Sequence, residues 1–356
     1  MRKLKGYGVL QVEVTDFCNL KCKMCKPHLE QWHQIHGIPK GFLDVELWKQ
    51  CAIGLQRDAI IFDHVIFQWL GDPLFHQHLD EIVVIAQQCL AKQVGYFRID
   101  SNMILLDDVR MRRMVESSVG QAPMLFVASL DALSADVYLD VKGRDYQQVV
   151  YRNIRRFLQY RKQTQAPINL QVQFVVQQGN AHETQSFLQY WLDCFRCYGG
   201  EMWHDEIMFK RLSVDGGGQG QHQADQLYHQ TVIARGISNQ KIDNVQVNIW
   251  EHRPWQRDDS SFAQGSQRSA CPGLWLTPVL RHDGELMMCC SDLQGELQLG
   301  NIRAQSFKEL WHSPKAKQVR KDHLQGRFQG VCADCGGINW YDLPKDAYDD
   351  SSPSMF

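Results

Sequence analysis

The sequence predicts an α/β fold: a parallel sheet with crossover helices, open or closed into a barrel, followed by a small C-terminal hairpin-plus-helix cap. Three observations carry this. Strand-like and helix-like segments alternate from residue 8 to about 212. The chain then turns polar and glycine-rich over 213–226. Order resumes after Cys271 with a hairpin signature and a helix.

Leu10, Val12 and Val14 alternate with Gln11, Glu13 and Thr15, which is the period of a half-buried strand. Residues 44–57 read as a helix with Asp44 as N-cap and Leu43 as a hydrophobic staple. A strand over 64–70, a helix over 78–93 and a strand over 95–100 follow. Next come a helix over 106–118, a strand over 124–130, a helix over 144–163 and a strand over 168–177. A helix over 182–197 leads to a sixth strand near 205–212. Residues 213–226 read as a loop or linker, and 251–270, with Pro254, are again polar. Leu276–Arg281 and Glu285–Cys289 flank Asp283-Gly284, a hairpin turn, and a helix over 306–321 follows. The expected units are 1–212, a linker or insertion over 213–270 that is a candidate for substrate contact, a cap over 271–345, and a frayed acidic tail over 346–356.

The 356 residues are 44% hydrophobic and 22% charged, with a formal net charge of -2. That balance offers no basic surplus for nucleic acid or an anionic membrane. Met1-Arg2-Lys3-Leu4-Lys5 leads into no signal-like apolar stretch, and runs such as Val83-Val84-Ile85-Ala86 are too short to span a bilayer. The expectation is a soluble, cytoplasmic protein. Twelve cysteines then point to metal rather than to a disulfide framework.

Cys18, Cys22 and Cys25 follow directly on the first strand, so three thiols share one loop at the C-terminal edge of the sheet. Three thiolates leave a tetrahedral zinc or a four-iron cluster one ligand short, which is the mark of a catalytic site. A structural zinc site completed by His28 is the alternative. Cys271, Cys289, Cys332 and Cys335 supply four more thiols, two near a hairpin and two on a C-x2-C turn. They suit a zinc ribbon or a fully ligated iron–sulfur cluster.

The C-x3-C-x2-C loop, as Thr15-Asp16-Phe17-Cys18-Asn19-Leu20-Lys21-Cys22-Lys23-Met24-Cys25, resembles the signature of the radical S-adenosylmethionine (SAM) superfamily. Met24 stands where the family commonly has an aromatic residue, and still offers a hydrophobe to adenine. Leu70-Gly71-Asp72-Pro73 resembles the family's Gly-Glu-Pro motif for the SAM amino group, with Asp72 in place of Glu. Ser101-Asn102 ends the third strand where Thr-Asn-Gly is frequent, with Met103 in place of the Gly. Ser129-Leu130-Asp131 and Asn180-Ala181-His182-Glu183 match further strand-end motifs. The resemblance covers residues 8 to about 212 and implies a partial (β/α)6 TIM-like barrel. It implies a SAM-binding [4Fe–4S] cluster on Cys18, Cys22 and Cys25, with SAM held by Met24, Gly71, Asp72, Pro73, Ser101, Asn102, Ser129, Asp131 and Asn180.

C-x12-G-x4-C followed by C-x2-C, with His282-Asp283-Gly284-Glu285, Leu299-Gly300-Asn301-Ile302 and Leu310-Trp311 around it, resembles the SPASM/twitch cap of the same superfamily. No cysteine follows Cys335, which fits the shorter twitch type. The resemblance implies one auxiliary [4Fe–4S] cluster on Cys271, Cys289, Cys332 and Cys335. The activity implied is reductive SAM cleavage to a 5′-deoxyadenosyl radical that abstracts a hydrogen atom, fed by a one-electron reductant such as a flavodoxin or ferredoxin. Peptide-modifying relatives often carry an N-terminal recognition domain. With Cys18 so early, none is expected here, which favours oxidation or epimerisation of a sugar-like or aminocyclitol-like small molecule. A peptide or protein substrate is the rival, and a non-catalytic zinc scaffold is the reading from another class. Cys194 and Cys197 are candidates for a hydrogen-atom donor, and Glu206, Lys210 and Arg211 for substrate contact. Cys51 and Cys89 read as core residues, and Cys290 as an unused neighbour of Cys289.

Overall fold

The computed structural model describes residues 7–25, 37, 40–118, 121–213, 218–250, 269–335, 337 and 338. His28, Pro254 and the tail over 346–356 lie outside the described residues.

Six parallel strands stand in chain order, each followed or preceded by a crossover helix. They are β1 (Tyr7–Val12), β2 (Phe62–Ile66), β3 (Val94–Ser101), β4 (Met124–Ser129), β5 (Ile168–Val176) and β6 (Glu206–Arg211). Between them run α1 (Val45–Arg57), α2 (Leu79–Leu90), α3 (Asp108–Ser118), α4 (Ala135–Lys142), α5 (Gln147–Thr164) and α6 (Thr184–Tyr198). β4 and β5 are buried along nearly their whole length, as strands covered on both faces must be. α1 starts where expected: the Asp44 carboxylate accepts the Leu47 N–H at 2.8 Å, and Leu47, Trp48, Ala52 and Leu55 face the core.

Several features differ from the sequence expectation. A short helix, α4, precedes the one predicted from residue 144, and Gly143 separates them. Gly143 has φ +75°, and a Cβ there would sit 2.7 Å from the Lys21 carbonyl oxygen, so only glycine allows the helix end to meet the cysteine loop. From residue 218 the chain is also more ordered than its composition implies. Residues Gly218–Thr231 form α7, which buries Ala224 and Tyr228 one turn apart. β7 (Gln240–Ile242) and β8 (Val245–Trp250) follow; β8 joins β6 as a seventh parallel strand, and β7 pairs antiparallel with β8.

The C-terminal region continues the same sheet from its other edge. After α8 (Gly273–Leu276), β9 (Val279–Leu280) lies parallel to β1, with Gln11 opposite Val279. The predicted hairpin turn leads to β10 (Glu285–Met287), and β11 (Gln298–Asn301) completes the order β11-β10-β9-β1-β2-β3-β4-β5-β6-β8-β7. The sheet stays open. The single helix expected over 306–321 is two: α9 (Phe307–Trp311), with a Ser306/Glu309 capping box, and α10 (Pro314–Leu324). Ser313-Pro314 restarts it, because proline suits a first helical turn and not an interior one. A last short helix, α11 (Val331–Asp334), carries Cys332. Among the described residues, no helix is long and apolar enough to cross a membrane.

Candidate active site

Cys18, Cys22 and Cys25 follow β1 at the edge where parallel strands end. The loop is held from two sides. On one, Lys21 and Lys23 N–H donate to the Lys142 and Val141 carbonyls at 3.2 and 3.1 Å. On the other, Asp72 N–H donates to the Phe17 carbonyl at 2.9 Å. A Cβ on Gly71 would lie 2.4 Å from the Thr15 carbonyl oxygen, so this motif is glycine because two backbones pack there. Burial pushes the Cys18 thiol up to about 12, with the Asp72 carboxylate adding to it, and burial likewise raises Cys22. A bound cation reverses that balance and takes the thiols as thiolates.

The expected SAM-contact residues form a linked set around this loop. Asp72 is buried and caps the turn at Pro73–Phe75 by accepting the Leu74 N–H at 3.0 Å. Ser101 Oγ donates to both its oxygens at 3.0 and 3.1 Å, and the Asn102 N–H donates at 2.7 Å. Burial lifts the Asp72 carboxyl to about 6 against these bonds. The Asn102 amide donates to Asn19 Oδ1 at 2.7 Å and reaches Cys18 Sγ at 3.8 Å. Met103, where the family often has glycine, takes φ +63°, the backbone that explains that glycine.

Asp131 also sits at positive φ, +58°, and is fully buried against the Lys142 ammonium, which the sequence reading missed. Its other oxygen accepts the Val175 N–H at 2.7 Å. Asn180 is buried too, donating to the Asp131 and Val175 carbonyls at 2.8 and 2.9 Å. Both side chains thus brace the strand ends. Met24 Sδ accepts from Gln177 Nε2 at 3.6 Å, and Ser129 is half-buried at the end of β4.

The four C-terminal thiols line one pocket with Ser291, Asp292 and His323. Backbone N–H groups point at three of the sulfurs: Ser291 to Cys289 at 3.4 Å, Gly337 to Cys335 at 3.3 Å and Ile338 to Cys271 at 3.5 Å. Such donors stabilise sulfur-bound negative charge and tune cluster potentials. Burial pushes Cys271 up to about 11. Among the described residues, no three His, Cys, Asp or Glu side chains converge as ligands of a single ion do. Four thiols around a small pocket are a donor set that fits an iron–sulfur cluster.

A cavity of about 350 Å³ opens on one face of the sheet, lined from β1, β2, β3, β5, β6 and β8 and by Thr277 and Cys290. Lys210 lines it. Its neighbour Arg211 points to the opposite face, 3.7 Å from Asp225 and over the Tyr228 ring of α7, which corrects its assignment to the substrate side. Glu206 starts β6 and is engaged by the Gln171 and Asn248 amides. Cys194 and Cys197 are also misplaced for a hydrogen-atom donor. They lie at the end of α6, just before β6 begins, so the crossover carries them to the sheet edge opposite the cysteine loop. Cys290, read from sequence as unused, is the cysteine in the cavity wall.

With this geometry in place, four likenesses to known proteins stand beside it. The SPASM iron–sulfur cluster-binding domain matches residues 271–336. GTP 3′,8-cyclase of a Synechocystis strain is 29% identical over 150 residues, 41% of this chain; the match spans only 40% of that curated relative. Among solved structures, BtrN in complex with AdoMet and 2-DOIA shares 15% identity over 95% of both chains at a TM-score of 0.50. Native anSMEcpe with bound AdoMet and Kp18Cys peptide shares 14% over 98% of this chain and 96% of that one, at 0.52. The fold is that of radical SAM enzymes with a C-terminal SPASM-type iron–sulfur region, as the two cysteine groups predicted. The cofactor set expected from the sequence, two [4Fe–4S] clusters and SAM, is the one these likenesses support.

Proposed function

We propose that this protein is a radical SAM oxidoreductase or epimerase acting on a small polar substrate held in the cavity of the sheet. Cys18, Cys22 and Cys25 hold the SAM-binding cluster, and Cys271, Cys289, Cys332 and Cys335 the auxiliary one. Bound there, a reduced cluster and SAM would supply the radical chemistry that removes a hydrogen atom from an unactivated C–H bond. The chain's own residues orient the substrate, exclude water and place its C–H bond. The observation that carries this reading is the cavity: its size suits a small molecule, and strands of the sheet and the C-terminal region both line it.

Epimerisation requires a hydrogen-atom donor beside the substrate, and Cys290 in the cavity wall is better placed for that role than Cys194 or Cys197. The test is iron, sulfide and zinc content after anaerobic reconstitution, with EPR of the reduced protein with and without SAM. About eight irons per chain and a signal perturbed by SAM are expected. Cys22→Ala abolishes 5′-deoxyadenosine formation, whereas Cys332→Ala retains some of it and loses product. Stoichiometric zinc without iron overturns the reading.

A further inference from the structure

Within the proposed substrate cavity, charge and hydrogen bonding are unbalanced in a specific way. Arg98 lines the wall, and its guanidinium is met by Asp100 through two bonds of 2.6 Å. Lys210 lines the same cavity and forms no ion pair among the described residues. Burial, reinforced by the Arg98 charge, lowers its ammonium to about 8. Asp100, Asp131 and Glu206 act on it only from beyond ion-pair contact; a half-enclosed cation without a contacting counterion is costly, and a ligand that brings one lowers the cost. Gln11 lines the cavity as well, and its Oε1 is buried with no hydrogen-bond partner among the described residues. It is an acceptor waiting for a donor. Val9, Ile66 and Trp250 supply apolar wall, the surface on which the C–H face of a ring packs.

We infer that the cavity takes a hydroxylated oxyacid: a small polyol or sugar carrying one carboxylate or phosphate, its anion on Lys210 and a hydroxyl donated to Gln11. This rests on the radical reading for its place in catalysis, but the binding itself does not depend on that chemistry. A neutral sugar leaves Lys210 unanswered, and an anion without hydroxyls leaves Gln11 so.

The test is calorimetric titration of the reconstituted protein with saturating SAM present, at fixed ionic strength. Inorganic phosphate, gluconate and glucose are the probes. Gluconate is expected to bind most tightly, phosphate more weakly and glucose weakest. Lys210→Met should weaken gluconate and phosphate by roughly tenfold or more and leave glucose unchanged, while Lys210→Arg retains most of the anion affinity. Gln11→Leu should weaken gluconate and spare phosphate. Lys210→Met removes a buried charge without leaving a cavity, so a thermal midpoint at or above the parent's confirms that it folds. Equal gluconate affinity in parent and Lys210→Met, or glucose binding as tightly as gluconate, overturns the inference. Tighter phosphate than gluconate binding removes the hydroxyl part. Parental 5′-deoxyadenosine formation, measured separately, reports on the radical reading and does not enter these titrations.

Discussion

Lys142 donates to Asp131 with both side chains fully buried, and this pair joins the end of β4 to the end of α4 where that helix meets the cysteine loop. The Lys142 carbonyl accepts the Lys21 N–H, so the pair fixes the loop through the backbone. Removing one partner leaves an uncompensated charge in the interior. Asp131→Asn or Lys142→Met alone is expected to cost about 3–5 kcal/mol. Asp131→Asn with Lys142→Met should recover much of that, giving a coupling energy of about 2 kcal/mol or more in denaturant titrations of the anaerobic protein. Strictly additive losses would mean that the two side chains do not act as a pair.

Asp72 makes a second prediction. Its oxygens accept two backbone N–H groups and the Ser101 hydroxyl, and the Asn102 that it positions reaches Cys18. In Asp72→Asn one amide nitrogen must face a backbone N–H. The expected loss is about 1–3 kcal/mol of stability, with SAM affinity in equilibrium dialysis weaker by roughly tenfold. If stability falls and SAM affinity does not, Asp72 braces the turn without placing the SAM site.

How far the sequence revealed this arrangement depends on where each signal lay. Asp44 and the spacing of Leu47, Trp48, Ala52 and Leu55 marked α1 because cap and apolar stripe are both local. α7 was hidden because glycine and glutamine fill the face around Ala224 and Tyr228, and its order comes from packing on the sheet. β2 ends at Ile66, short of the expected residue 70, and beyond it Trp69 donates to the Cys290 carbonyl at 2.9 Å. That contact crosses more than half the chain, and no local pattern encodes it. The cysteines were legible as two groups by spacing alone. The cavity was not, since its wall takes alternate residues from six strands, and only pairing brings Gln11, Arg98 and Lys210 together.

The three thiols weighed as hydrogen-atom donors separate cleanly by position. Cys290 is in the cavity wall, Cys194 is buried on α6 and Cys197 is exposed at its end. If the reaction is an epimerisation, a thiol hydrogen returns to the substrate, and the sulfur radical left behind takes an electron from the reductant and a proton from solvent. With a substrate that the parent turns over in deuterated water, the epimer should carry one deuterium. Cys290→Ser should lose that product and still form 5′-deoxyadenosine, while Cys194→Ser and Cys197→Ser behave as the parent. Deuterated epimer from Cys290→Ser would exclude it as the donor.

Glu13 links the sheet to the C-terminal hairpin and gives the protein a pH dependence of stated sign. Its side chain is buried, with Oε2 3.3 Å from His282 Nδ1 and 3.5 Å from the His282 backbone nitrogen. Burial, with the Asp16 charge added, lifts its carboxyl from 4.5 to about 8. Between those values the folded state holds a proton that the unfolded state has released. Its contribution to stability is therefore complete below pH 4.5 and is lost as pH rises through about 8. Glu13→Gln keeps the shape and removes the titration. The variant should match the parent near pH 5 and exceed it by about 1–3 kcal/mol near pH 9, read from denaturation midpoints across that range. Parallel pH profiles for parent and variant would show that Glu13 ionises freely in the folded protein and that the hairpin seam is wetter than its burial implies.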